Sequence, residues 1–88
     1  MKRITSQQII DDIKGLMPWH DGVPFGNILW ANAQYKEVFY QKGTYEEKKK
    51  LVDAISDVIM ERLNYLIKTK RIKRVIPKFG KTRYFIIS

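Results

Sequence analysis

Apolar residues recur along this chain at two different periods, and the switch between them divides it. Ile9, Ile10, Ile13, Leu16 and Met17 follow Ser6 at steps of three and four. Ser6 is a residue type that accepts a hydrogen bond from a free backbone N–H, so a helix is predicted from about Ser6 to Leu16, ending near Pro18. Trp19-His20-Asp21-Gly22-Val23-Pro24 interrupts that spacing. Gly22 permits a positive φ and Pro24 disfavours helix at Val23, which predicts a loop with a short extended segment. From Phe25 to Tyr40 the helical spacing returns through Ile28, Ala31, Tyr35, Val38 and Phe39, with no proline and a stop at Lys42-Gly43. One second helix is expected there.

Thr44 stands before Glu46 and Glu47, an N-cap followed by acids that complement the helix dipole, with Glu47 at the capping-box position. Leu51, Val52, Ile55, Val58, Ile59, Leu63, Leu66 and Ile67 then keep one helical phase. They predict a single third helix of about 25 residues, roughly 39 Å from Thr44 to Thr69. A competing reading lets Ser56 cap a second, shorter helix, but no Gly or Pro marks a break. After Thr69 the period changes. Ile72-Lys73-Arg74-Val75-Ile76 and Thr82-Arg83-Tyr84-Phe85-Ile86-Ile87 are β-branched and aromatic runs around Pro77-Lys78-Phe79-Gly80-Lys81, which predicts a hairpin. The fold class is therefore mainly α with a small β-hairpin.

The chain has 88 residues, 44% of them hydrophobic, enough for one core and one domain over residues 1–88. It has no Cys, so the fold rests on packing without disulfides or thiolate metal sites, which suits a reducing, cytoplasmic compartment. No run of about 18 apolar residues is present, and the start turns polar at Thr5-Ser6-Gln7-Gln8 before a signal-peptide core forms. A soluble protein with no membrane partner is expected.

Charge changes the picture more. The net charge is +8, and residues 1–61 carry eight bases against all nine acids. Residues 62–88 carry nine bases and no acid. Segregation of this kind exceeds what solubility needs and favours an anion-binding face over a merely solvated one.

The element order, together with Leu63, Leu66, Thr69-Lys70 and Ile72 through Val75, resembles a winged-helix domain. In that family a Leu-x-x-Leu segment closes the third helix, a short polar turn follows, and an apolar residue with basic neighbours opens the wing. Lys78-Phe79-Gly80-Lys81 falls at the wing tip, and Gly22-Val23-Pro24-Phe25 resembles the short first strand. The resemblance implies a helix-turn-helix core that binds double-stranded DNA, with the wing on the backbone or in the minor groove. Two features depart from the pattern. The third helix is about twice the usual length, which points to a partner on part of it, a second copy included. Its outer face also carries Asp53, Asp57 and Glu61, and carboxylates are repelled by phosphates.

The DNA-contact candidates are therefore Lys78, Lys81 and Arg83 of the wing, Arg71, Lys73 and Arg74 at its base, Lys68 at the end of the third helix, and Lys50. The same lysines would also serve to discourage edge-to-edge strand pairing. Phe79 is placed to stack on a base or to fold back over Pro77. Lys48-Lys49-Lys50 opens the third helix where anions are favoured, although Glu46-Lys50 and Lys49-Asp53 are also i,i+4 pairs of a solvated face. His20 reads as a loop residue, because a metal site needs further ligands. Trp19, Trp30, Phe39 and Tyr40 are expected in the core, and an exposed ring among them would mark a partner surface.

No glycine-rich phosphate loop, HExxH or nucleophile elbow is present, so neither catalysis nor a cofactor or metal is expected. The expected function is a small DNA-binding transcriptional regulator, with RNA as a further polyanion that a basic wing would meet. The alternative is a protein-interaction or assembly module that uses the long third helix without nucleic acid.

Overall fold

The computed structural model describes residues 2–16 and 22–87. Trp19 and His20 lie outside them. The chain runs α1 (Ser6–Gly15), β1 (Val23–Pro24), α2 (Phe25–Ala31), α3 (Ala33–Tyr40), α4 (Tyr45–Lys68), β2 (Ile72–Val75) and β3 (Arg83–Ile86). It is a mainly helical fold with a small three-stranded antiparallel sheet in the order β1-β3-β2. No helix among the described residues is long and apolar enough to cross a membrane.

The cap of α1 is Thr5 rather than the expected Ser6. Thr5 Oγ1 accepts from the Gln8 backbone N–H and Gln8 Oε1 accepts from the Thr5 backbone N–H, each at 3.1 Å. Such a reciprocal box needs a polar residue three positions after the cap, which Thr5 finds in Gln8 while Ser6 would find Ile9. Ile9, Ile10 and Ile13 then face the core. Gly22 enters β1 at φ 84° beneath the Phe85 ring, and a Cβ there would lie 2.6 Å from that ring.

The expected second helix is two helices. Asn32, with ψ 125°, ends α2 and caps α3, its side-chain oxygen accepting from the Tyr35 N–H at 3.0 Å. An asparagine side chain competes for backbone N–H groups in this way, and the apolar spacing alone does not reveal it. The rings of this segment are also not core. Trp30 is 44% exposed, Phe39 49% and Tyr40 77%, because Ile28 and Val38 supply the buried positions of α2 and α3. Trp30 meets Tyr35 and Phe39 edge to face at centroid distances of 5.5 and 5.0 Å, and Phe39 meets Tyr40 at 5.6 Å.

Thr44 caps α4 as expected, accepting from Glu47 N–H, and the helix continues unbroken for 24 residues through Ser56. Its buried residues are Ile55, Ile59, Leu63 and Leu66, so the first turns, from Tyr45 to Leu51, project past the core with no buried side chain. At its other end Arg71 N–H donates to Leu66 O at 2.9 Å and Lys70 N–H to Ile67 O at 3.0 Å. This is the paired closure that needs a left-handed residue between the two, and Lys70 supplies it at φ 62°.

Antiparallel register sets the sheet faces. Ile72 lies opposite Ile86, Lys73 opposite Phe85, Arg74 opposite Tyr84 and Val75 opposite Arg83, while Val23 of β1 flanks Tyr84 from the other side. Side chains alternate, so Ile72, Arg74, Tyr84 and Ile86 face the helices and Lys73, Val75, Arg83 and Phe85 face outward. Tyr84, 2% exposed on the middle strand, is among the largest buried side chains. The N-terminal arm is held to α4 by Arg62 Nε, which donates to Ile4 O at 3.0 Å.

A non-glycine residue in the left-handed region is strained by about 1–2 kcal/mol. Lys70→Gly should therefore raise the free energy of unfolding by about 1 kcal/mol in a denaturant titration. A loss of stability would show that the Lys70 side chain outweighs its backbone strain.

Candidate nucleic-acid interface

The closure at Lys70 turns the chain sharply from α4 into β2, which sets the hairpin beside the last turns of the helix. Lys68 ends α4, and Lys70, Lys73, Lys78 and Lys81 follow through the turn, strand and tip, all five exposed. Arg71 is half-buried, and its carbonyl accepts from the Ile87 N–H at 3.0 Å, closing the open end of the hairpin. Arg83 is half-buried as well, with Nη1 donating to Gly22 O at 3.3 Å across the β1 edge. Lys73 and Arg83 share the outward face of the sheet with Phe85.

Arg74 stands apart from its neighbours in sequence. It is directed inward by strand alternation and serves the fold: Nε donates to Tyr84 Oη at 3.3 Å, and Nη2 contacts Met60 Sδ at 3.5 Å and donates to Asn64 Oδ1. Its guanidinium carbon is 5.4 Å from the Tyr84 ring centroid, within cation–π range. Asn64 and Met60 are the helix residues to which the hairpin is fastened. Helical phase alone puts Asn64 on the outer side of α4, and only the hairpin packing against it gives it this partner.

Lys50 is not part of the cluster. It lies 18 positions before Lys68 on an unbroken helix, about 27 Å away along the axis. Of the run that contains it, Lys48 is half-buried and donates to Phe39 O at 3.3 Å, tying the start of α4 to the end of α3. Asp53, Asp57 and Glu61 are exposed along the middle of α4. The exposed cations of residues 62–88 are thus gathered at the C-terminal end of α4 and on the hairpin, beyond the carboxylates, while Lys2, Arg3, Lys14, Lys36, Lys42 and Lys49 are exposed on the rest of the chain.

A cleft of about 650 Å³ opens elsewhere, between α1 and α2, lined by Asp11, Asp12, Leu16, Asn27, Trp30 and Lys36 among others. Partial burial pushes the Asp12 carboxyl above its ordinary range, the adjacent Asp11 pushes it further, and Lys36 opposes both. The Asp11-Asp12 pair was visible in the sequence, but the cleft also takes Lys36 from α3, which lies beyond the helix break at Asn32. Among the described residues no group of three His, Cys, Asp or Glu side chains is placed to hold a metal ion.

Two predictions separate structural charges from available ones. Arg74→Ala should lower stability by about 1–3 kcal/mol, since it removes the charged donor to the buried Tyr84 hydroxyl, which keeps its weak donation to Met60 Sδ at 3.9 Å, and frees Asn64. Lys78→Ala should stay within about 0.5 kcal/mol of the parent protein. Equal effects in a denaturant titration would contradict this division. For Asp12, a raised folded-state pKa means that its contribution to stability is greatest below the unfolded-state value and is lost as pH rises through the folded-state value. Asp12→Asn should accordingly melt above the parent at about pH 7, with the gap closing as pH falls towards about 4. A pH-independent gap would contradict the assignment.

Comparison of this chain with protein-family models, with curated proteins and with solved structures finds no match.

Proposed function

We propose that this protein is a winged-helix DNA-binding protein, a transcriptional regulator that holds duplex backbone through its hairpin and the C-terminal end of α4. The observation that carries this reading is the group of exposed cations, Lys68, Lys70, Lys73, Lys78 and Lys81, on a segment with no acid from residue 62 onward. Lysines arranged in this way neutralise phosphates and release condensed counterions, which drives binding without reading bases. In this reading α1 through α4 form the helical core and β2-β3 the wing, with β1 as the third strand. Exposed Asp53, Asp57 and Glu61 oppose insertion of the middle of α4 into a major groove. Contacts therefore run along the wing and the last turn of the helix. Arg71 adds charge at the wing base and Arg83 near the tip end of its strands, while Arg74 acts by fixing the wing to α4. A-form RNA backbone offers the same charge and is the control substrate.

A second reading, a protein-interaction or assembly module with a second copy or another protein on α4, is favoured by one specific observation. Trp30, Phe39, Tyr40, Tyr45 and Leu51 are all exposed around the projecting start of the long helix. In that reading duplex nucleic acid at any salt concentration leaves the protein unbound.

Fluorescence anisotropy with labelled duplex DNA, from about 50 to 200 mM salt, tests the proposal. About five phosphate contacts would weaken binding by roughly 10²- to 10³-fold over that range. Replacing Lys73, Lys78 and Lys81 together by Ala should weaken binding to all sequences alike and reduce the logarithmic salt slope by about two to three. These three are chosen because, unlike Arg74 and Arg83, they are exposed and their side chains make no hydrogen bond among the described residues. Unchanged affinity and slope would remove the wing as the contact.

A further inference from the structure

The hairpin tip carries an apolar group that the fold does not use. Phe79 is 86% exposed and Ile76 75%, on a loop where Lys78 and Lys81 are also exposed and Pro77 and Thr82 are half-buried. Gly80 takes φ 98°, and a Cβ built on it meets nothing within 4 Å, so the tip stands clear of the rest of the molecule. Pro77 fixes its own φ and Gly80 supplies the positive φ that reverses the chain, in a bend over residues 78–80. An aromatic ring held out in this way, between two lysines and with no acid nearby in the chain, suits a polyanion with an apolar interior.

We propose that Phe79 is a wedge that enters the minor groove of a DNA duplex, partly unstacks one base step and kinks the duplex. This rests on the reading of the protein as a DNA-binding protein. Strand axes of a hairpin lie about 4.8 Å apart, and with the thickness of two backbones and their side chains added the ribbon is broader than an undeformed minor groove of about 6 Å. The ribbon therefore stays outside, and a single side chain at its tip enters. Apolar side chains inserted between base steps from this groove bend duplexes. Lys78 and Lys81, on either side of the ring, hold the phosphates that border the groove.

The wedge also gives selectivity to a surface that otherwise contacts backbone alone. Unstacking is easiest at flexible pyrimidine–purine steps and hardest in stiff A-tracts, so site choice follows deformability rather than base edges.

The test uses the whole chain with two duplexes, one carrying 2-aminopurine beside a central TA step and the other an A-tract, each labelled at both ends for energy transfer. The parent protein should raise 2-aminopurine emission, shorten the end-to-end distance and prefer the TA duplex by on the order of tenfold. Phe79→Ala should keep the salt slope while losing the emission change, the bend and most of the preference. A Phe79→Ala protein that bends and discriminates like the parent overturns the wedge and leaves the DNA-binding reading standing. Absence of parent binding to either duplex at about 50 mM salt overturns both, since phosphate contacts are strongest there. Phe79-dependent binding to anionic phospholipid vesicles without 2-aminopurine unstacking would place the tip in lipid and overturn the wedge.

Discussion

Burial of Tyr84 is the constraint on which the sheet, and with it the basic surface, depends. Its ring occupies the middle strand, flanked by Val23 on β1 and Arg74 on β2. Burying an aromatic of this size is worth about 1.5–3 kcal/mol, but the phenol must keep a hydrogen-bond partner. Arg74 Nε donates to its oxygen at 3.3 Å, the hydroxyl donates in turn to Met60 Sδ at 3.9 Å, and Arg74 extends to Met60 and Asn64 of α4. One buried side chain and one inward arginine thus join all three strands to the long helix. An isolated two-stranded hairpin is marginal in water; here it has a third strand and a helix behind it.

That fastening governs where charge is available. Because Arg74 is used inward, the exposed cations of residues 62–88 are lysines at the end of α4, on the turn, the outer face and the tip. Lysine is a compact charge on a flexible stem, suited to general phosphate contact, whereas the planar arginine fork suits fixed partners. The division of labour in this segment follows that chemistry: Arg62, Arg74 and Arg83 hold Ile4, Tyr84 and Gly22 respectively. The carboxylates of α4 lie along the middle of the helix, so the two ends of the same element meet different surroundings. Its C-terminal end is basic and continuous with the hairpin. Its first turns are neighboured by Tyr40 and exposed rings.

Much of this was legible from residue spacing. The stripe from Ile55 to Leu66 fixed α4, Thr44 fixed its start, and β-branched runs around Pro77 and Gly80 marked the hairpin. Gly22-Val23-Pro24 marked β1. The break at Asn32 was not legible from periodicity, because Ile28, Ala31, Tyr35 and Val38 fit one helix as well as two; the only signal was a residue type that caps helices. Trp30, Phe39 and Tyr40 were expected inside because hydrophobicity does not say which apolar group takes a limited core, and isoleucines with Tyr84 took it. Strand alternation from buried Ile72 already turns Arg74 inward, so that part of the site was available before its partners Met60 and Asn64 were. Separation of Lys50 from the wing followed from helix length alone.

In the proposed function, one acid-free surface at the C-terminal end of α4 and along the hairpin meets the duplex. The most direct measurement is a backbone amide chemical-shift map of isotope-labelled protein titrated with a short DNA duplex at low salt. Salt-sensitive shifts at Lys68–Lys73 and Lys78–Arg83, with α2, α3 and the Asp53–Glu61 stretch of α4 unmoved, are the predicted result. Shifts centred on Trp30–Tyr40 and Tyr45–Leu51, or no shifts at all, would contradict it.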